Sequence, residues 1–436
     1  MKKLWWGVMA FFSVAFVQGQ NTASTLDYVY KSGISFPLVY RTGLTIGNDL
    51  ISGDDLSMPI IALKDSEVLK IEFDDLNNTA QVYSYQIIHC THDWQPSDLL
   101  FMQYMQGYET YDIYDYHFSS NTTISFTHYE FTFPNEQMKP LISGNFLVKV
   151  FEDGNPENVV FTRRFMIAED RVKVAANIRW ARDSQYRNSH QEIGLSIDIR
   201  DVMIQDVYND LKVNIVQNMR WDNAKISVPP QFVSSQQVNY DHVTGETRFE
   251  AGNQWRYLDL KTMRLITEPI LKFEYDNGRY HAILRPDKER FYRANQFNFD
   301  INGQFIIYNQ DTYSTRIDPD YIYTYFSFPM DEPLMGKDLY VIGGFTFGEN
   351  LEKYKMKYNP ELRQYELTTL LKQGYYNYMY AVKDRKTGNV TFDYTEGNFA
   401  ETENNYTIFI YGRQPGDLVH KLLKVVHLNS FKNMEK

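Results

Sequence analysis

The residues that could do chemistry stand together in one place. His89, Cys90, His92 and Asp93 fall within the run His89-Cys90-Thr91-His92-Asp93-Trp94, which offers a thiol, two imidazoles and a carboxylate. On an extended strand successive side chains face opposite ways, so Cys90 and His92 share one face and His89 and Asp93 the other. That splits the set. Two ligands on a face fall short of the three or four that a zinc site uses, and no Cys-x-x-Cys or His-Glu-x-x-His pair elsewhere completes one. The structural reading has Cys90 as a small apolar residue packed beside Trp94. Asp54-Asp55 and Asp74-Asp75 could suggest calcium, yet Asp and Asn also close tight turns by bonding their own backbone, and the turn reading is preferred. There is no Gly-x-Ser-x-Gly elbow, no phosphate loop and no Gly-x-Gly-x-x-Gly between strand and helix. The expectation is a binding protein and not an enzyme, with no catalytic residue, no metal and no cofactor.

A second concentration is aromatic. The stretch from Tyr104 to Tyr116 contains Tyr108, Tyr111, Tyr114 and Tyr116. Tyr combines contact area with a polar tip at low entropic cost, which suits a protein-binding surface. These four are the candidate partner-contact residues. In the other reading the loop simply packs over its own domain.

The elements that must position these residues are strands. Ile193, Leu195, Ile197 and Ile199 alternate with Glu192, Ser196, Asp198 and Arg200, and Phe297, Phe299 and Ile301 alternate with Asn298, Asp300 and Asn302. Such a period of two marks strands with one buried face. Only Asp206–Leu211 and Glu361–Leu371 could hold short helical pieces. Turn signals at Ser52-Gly53-Asp54-Asp55, Asp74-Asp75-Leu76-Asn77-Asn78, Asp153-Gly154-Asn155-Pro156, Asn277-Gly278 and Thr387-Gly388-Asn389 separate the strand-like runs. The spacing predicts an all-β chain of tandem immunoglobulin-like or Greek-key β-sandwich domains.

A chain of 436 residues exceeds one hydrophobic core. Interruptions at Ala168-Glu169-Asp170 and at Ile317-Asp318-Pro319-Asp320 divide it into domains of roughly 26–169, 171–316 and 319–436, joined without a low-complexity linker. Ahead of them, Lys2-Lys3, the apolar Leu4–Val17 segment and Gln18-Gly19 read as a secretory signal over residues 1–19. The apolar stretch is shorter than the ~20 residues of a membrane span, and no Cys follows it for acylation. The expected location is therefore the periplasm, with any membrane association gained through a partner. Cys90, the sole cysteine, has no intrachain partner for a disulfide, so burial of the 34 Tyr and 29 Phe must supply stability. A net charge of -11 argues against nucleic acid or anionic lipid as that partner.

In the third domain, Leu339-Tyr340-Val341-Ile342-Gly343-Gly344-Phe345, Lys355-Met356-Lys357-Tyr358-Asn359, Tyr365-Glu366-Leu367 and Tyr376-Asn377-Tyr378-Met379-Tyr380-Ala381-Val382 resemble the immunoglobulin-like modules that accompany starch- and glycogen-acting enzymes. Those modules stack sugars on exposed Trp, and this segment has none; Tyr354 or Tyr358 would have to substitute. A periplasmic or surface glycan-binding protein is the alternative function.

Three further segments, Phe126–Glu136 with Ser143-Gly144-Asn145-Phe146, Gln254-Trp255-Arg256-Tyr257-Leu258-Asp259, and Tyr292 through Phe305, resemble in order and spacing the plug proteins of the type IX secretion system. The resemblance spans the expected mature chain. It implies a periplasmic, non-enzymatic protein that binds the periplasmic opening of a large outer-membrane translocon β-barrel and closes it while no substrate carrier is engaged.

Overall fold

The computed structural model describes residues 25–41, 58–64, 66–293, 300–312, 316–348 and 350–434. The expected signal segment 1–19, the Asp54-Asp55 pair and the alternation at Phe297 and Phe299 lie outside the described residues. The rest is nearly all β, in tandem sandwiches.

The first unit shows how the alternation works. Along Leu69–Asp75, Leu69, Ile71 and Phe73 enter the core, and along the neighbouring Thr127–Phe133, Tyr129 and Phe133 do the same. Lys70, Glu72, Asp74, His128 and Glu130 fall on the opposite face. These strands form a sheet in the order 34–41, 69–75, 127–133, 116–118, facing a second sheet ordered 28–29, 159–168, 144–152, 83–90, 111–113. The short Ile60–Ala62 strand pairs in parallel with the end of Val159–Ala168.

The second unit begins at Lys173–Trp180 and His190–Asp198, whose Ile193, Leu195 and Ile197 line its core as the alternation required. Its other sheet runs 220–225, 211–217, 405–412, 421–429. Strands near the C-terminus therefore complete the second unit, with Leu211 opposite Gly412 and Gln217 opposite Tyr406. The physical reason lies in Asn405–Gly412, which is buried on both faces. Tyr406, Ile408 and Ile410 enter the second core, while Phe409 and Tyr411 enter a separate cluster shared with the first unit.

The third unit is consequently an insertion. Arg256–Asp259 pairs with Gly374–Asp384, and Ile270–Asp276 and Arg279–Leu284 join Tyr321–Pro329 and Gln364–Lys372 in one sheet. The expected boundary near Ile317–Asp320 thus falls inside this unit. The middle domain is not 171–316, nor is the third 319–436: residues 256–284 belong with the third unit and 405–429 with the second. Residues Glu361–Leu371 also differ from expectation, since Gln364–Lys372 is a strand with Tyr365, Leu367 and Leu371 in the core. Val207–Asp210 does form one helical turn, capped by the Asp206 carboxylate, which accepts from the Tyr208 amide.

First and second units meet through a shared apolar cluster. Cys90, Trp94, Leu147 and Met166 pack against Val216, Phe409, Tyr411 and Leu422. The Arg164 guanidinium lies 4.5 Å from the Trp94 ring and 5.4 Å from that of Trp221, and Tyr411 donates to Asn145 Oδ1 at 2.8 Å. Because both connections to the third unit leave from the second, the insertion is tied at two points.

A chain ending at residue 402 should leave Leu211–Gln217 without its central neighbour. Its second unit is expected to be degraded by limited proteolysis between residues 171 and 250, whereas replacing 256–402 by a short Gly/Ser linker should leave that region protected. Protection of the truncated form would contradict the pairing described here.

Candidate protein-binding surface

The Tyr-rich loop sits at one open side of the first unit, where its two sheets end in the short strands Tyr111–Ile113 and Tyr116–Phe118. The loop is fixed at its start. Tyr104 is buried and donates to the Ile87 carbonyl at 3.2 Å, and Met105–Gly107 pairs with Met138–Pro140. Gly107 adopts φ +118°, and a Cβ there would lie 1.9 Å from the Gln137 carbonyl oxygen, so only Gly permits this approach.

Beyond Gly107 the aromatics emerge. Tyr108, Tyr114 and Tyr116 are exposed at 64%, 71% and 41%, and Phe118 at 53%. Tyr111 is half-buried and links Tyr108, at 6.2 Å between ring centroids, to Tyr114, at 5.9 Å, and to the core Tyr85, at 6.3 Å. Tyr116 rests on Tyr129 at 5.6 Å and meets the edge of Phe118 at 5.9 Å. Three of the four candidate tyrosines thus lie at the surface while Tyr111 braces them against the fold. Phe118 completes the patch; its period-two spacing from Tyr114 and Tyr116 was the available signal.

The His–Cys cluster is divided between two cores. His89 packs on Tyr104 and Phe146 in the first unit, with Nδ1 2.9 Å from Ser97 Oγ, while Cys90 faces the second unit beside Trp94. Burial pushes the Cys90 thiol up to about 12 and holds His89 and His92 down near about 4. A protonated thiol with neutral imidazoles turned to different neighbours is packing, as the structural reading required. His92 Nε2 meets Ser227 Oγ at 2.9 Å, a contact between the first and second units. The tyrosines offered as sugar platforms are also internal: Tyr354 is buried against Phe345, and Tyr358 is half-buried with its hydroxyl donating to the Asp331 carbonyl at 2.9 Å.

The outer face of the 69–75 and 127–133 strands carries a buried charge cluster against the third unit. Asp74 accepts from Lys372 Nζ at 2.5 Å, from the Tyr321 hydroxyl at 2.6 Å and from His128 Nδ1 at 2.7 Å. Beside it, Glu72 and Glu130 bind Arg316, and Lys70 lies 2.7 Å from Glu130. Glu72, His128 and Glu130 bring potential ligand atoms within 4.8 Å of one another, but Arg316 and Lys70 already neutralise these carboxylates. Burial opposes the Asp74 charge, yet Lys372 and His128 outweigh it and hold the carboxyl below its ordinary range. For His128 burial likewise opposes the charged form, and the facing Asp74 and Glu130 carboxylates outweigh it, so its pKa is raised. His128 and then Lys70 lower Glu130 to about 2 against its partial burial.

Replacing Asp74 by Asn should strand the buried Lys372 charge and destabilise the protein by about 3–5 kcal/mol, read from urea unfolding; a loss below ~1 kcal/mol would contradict the cluster's role. The raised His128 contributes stability that is fully present below its unfolded value of about 6.5 and is lost as pH rises through its folded value. The lowered Asp74 contributes stability present above its unfolded value of about 3.9 and lost as pH falls through its folded value. The urea midpoint is therefore expected to decline as pH rises above about 6.5, and His128→Asn to flatten that decline; an unchanged slope in the variant would count against this assignment.

Comparison with known proteins gives two findings. Residues 48–169 match the family model described as "Type 9 secretion system plug protein 1st domain". The crystal structure of a hypothetical protein from Parabacteroides merdae ATCC 43184 is 29% identical, with a TM-score of 0.86 over 93% of this chain and 99% of that one. No curated protein matches. The matched residues contain the aromatic edge and the Lys70, Glu72, Asp74, His128 and Glu130 side of the charge cluster, so the first unit is similar to the first domain of type IX secretion plug proteins.

Proposed function

We propose that this protein is a non-enzymatic plug that binds the periplasmic opening of the type IX outer-membrane translocon barrel and occludes it while no substrate carrier is engaged. The observation that carries the reading is the family match over residues 48–169, which encloses the exposed patch of Tyr108, Tyr114, Tyr116 and Phe118. The architecture supports it. An opening wide enough for folded proteins is blocked best by a body that does not deform, and here the apolar cluster joins the first unit to the second while the Asp74–Lys372 pair joins it to the third. Among the described residues no helix is long and apolar enough to cross a membrane. In this reading the protein works in the periplasm after export, and the barrel holds it at the outer membrane.

The patch would act as the anchor of a partly polar interface in which a few aromatic side chains carry most of the energy. The packing of Tyr354 and Tyr358 within the third unit counts against the glycan-binding alternative, in which these two would have had to substitute for the missing Trp.

A tagged copy extracted from the native host in mild detergent is expected to bring down one stoichiometric giant barrel. Tyr108→Ser with Tyr114→Ser should weaken that capture about tenfold or more while thermal unfolding stays unchanged. Recovery of the wild-type protein alone, or undiminished capture by the double variant, would refute the assignment of function or surface respectively.

A further inference from the structure

The Tyr116–Phe118 strand closes one sheet of the first unit and, among the described residues, has no strand beyond it. Its backbone orientation follows from the hydrogen bonds that flank it. Tyr116, His117 and Phe118 stand opposite Tyr129, His128 and Thr127. At the two ends, Glu130 donates its amide to the Asp115 carbonyl at 3.1 Å and Ser119 donates to the Phe126 carbonyl at 2.9 Å. In an antiparallel ladder alternate residues turn their backbone groups to the partner. Asp115, His117 and Ser119 therefore face the 127–133 strand, and the N–H and C=O of Tyr116 and Phe118 point away from the sheet.

Natural sheets protect such an edge with Lys, Pro or a covering segment. Among the described residues this one has only its shortness as protection: all three residues are exposed, two are large aromatics, and no Lys or Arg occurs between Lys70 and Lys139. The loop instead supplies Glu109, Asp112 and Asp115 around the aromatics. An open backbone edge, aromatic rings beside it and an excess of acidic side chains, of which Asp115 meets His117 Nε2 at 3.3 Å, together describe a site for an added strand bearing basic side chains.

We propose that Tyr116–Phe118 receives an extended, Lys- or Arg-bearing segment of the partner by β-strand addition, the Tyr116 and Phe118 rings packing against its side chains. The proposal rests on the plug reading for the identity of the partner and adds the mode and charge of the contact.

The test compares Phe118→Ala with Phe118→Pro in the full chain, using the translocon barrel purified from the native outer membrane as the probe. Both variants lose the ring. Only Pro removes the outward N–H, and because that group makes no bond within the sheet, Pro is tolerated at this edge. The Pro variant is expected to bind about tenfold more weakly than the Ala variant, with the same thermal unfolding. Equal binding of the two would overturn strand addition while leaving the plug reading intact; no binding by the wild-type chain would overturn both. Amide exchange on the wild-type complex gives an independent reading that does not depend on a folded Pro variant. The Tyr116 and Phe118 amides should slow on binding, and unchanged exchange there would overturn the proposal. Binding should also weaken as salt is raised from about 0.05 to about 0.5 M; insensitivity would overturn the basic character of the segment.

Discussion

The ion pair between Asp74 and Lys372 is the constraint on which the arrangement of the molecule depends. Both side chains are withdrawn from water, at 2% and 3% exposure, and they come from strands of different units. Taking two charges out of water costs several kcal/mol per ion, and their attraction offsets this only when the geometry is close and the remaining hydrogen-bonding capacity is filled. Here it is filled: Tyr321 and His128 complete Asp74, and the Arg316 carbonyl accepts from Lys372 at 3.0 Å. A slip of either sheet by one residue would expel these groups and bury apolar ones in their place, so the cluster selects a single relative position of first and third units. Phe36, inserted 5.5 Å from Phe305 and 6.1 Å from Tyr321, adds apolar contact at the same joint.

The joint between first and second units is of the other kind. Its cluster of Cys90, Trp94, Phe409 and Tyr411 is held by burial, which is non-directional and tolerant of small shifts, with Tyr411–Asn145 and His92–Ser227 fixing the register. One joint supplies adhesion and the other specificity. Together they hold the aromatic edge of the first unit in a fixed orientation to the other two, which a loop on a hinged domain could not keep.

Much of this was legible in the sequence wherever the physics is local. Alternation at Ile193–Ile199 located a strand and its buried face, and alternation at His89-Cys90 placed those two side chains on opposite faces, although the strand ends at Cys90 and His92 and Asp93 lie in the turn that follows. The tyrosines beyond Gly107 were recognisable because a run of large aromatics among turn residues has few ways to hide. What stayed illegible is pairing at long range. A period of two says which face of a strand is buried but not which strand lies beside it, so the partnership of Leu211–Gln217 with Asn405–Gly412, and with it the insertion of the third unit, left no local mark. Asp75 does close the expected turn, its Oδ1 accepting from the Asn77 amide at 2.9 Å, but Asp74 read as part of that turn for the same reason. The cation that gives Asp74 its role stands 298 residues away, and only the fold brings it near. Gln364–Lys372 was ambiguous because Glu361–Leu371 is short and mixed in character, and its flanking Pro360 and Gly374 can bound a helix or a strand alike.

The central claim is occlusion, and the most direct measurement is the conductance of the purified native translocon barrel in a planar bilayer, with this protein added to the periplasmic side. A rigid plug is expected to take the large open conductance to near baseline in single steps that reverse when the protein is washed out. Persistence of the open conductance with the protein demonstrably bound to the barrel would contradict it.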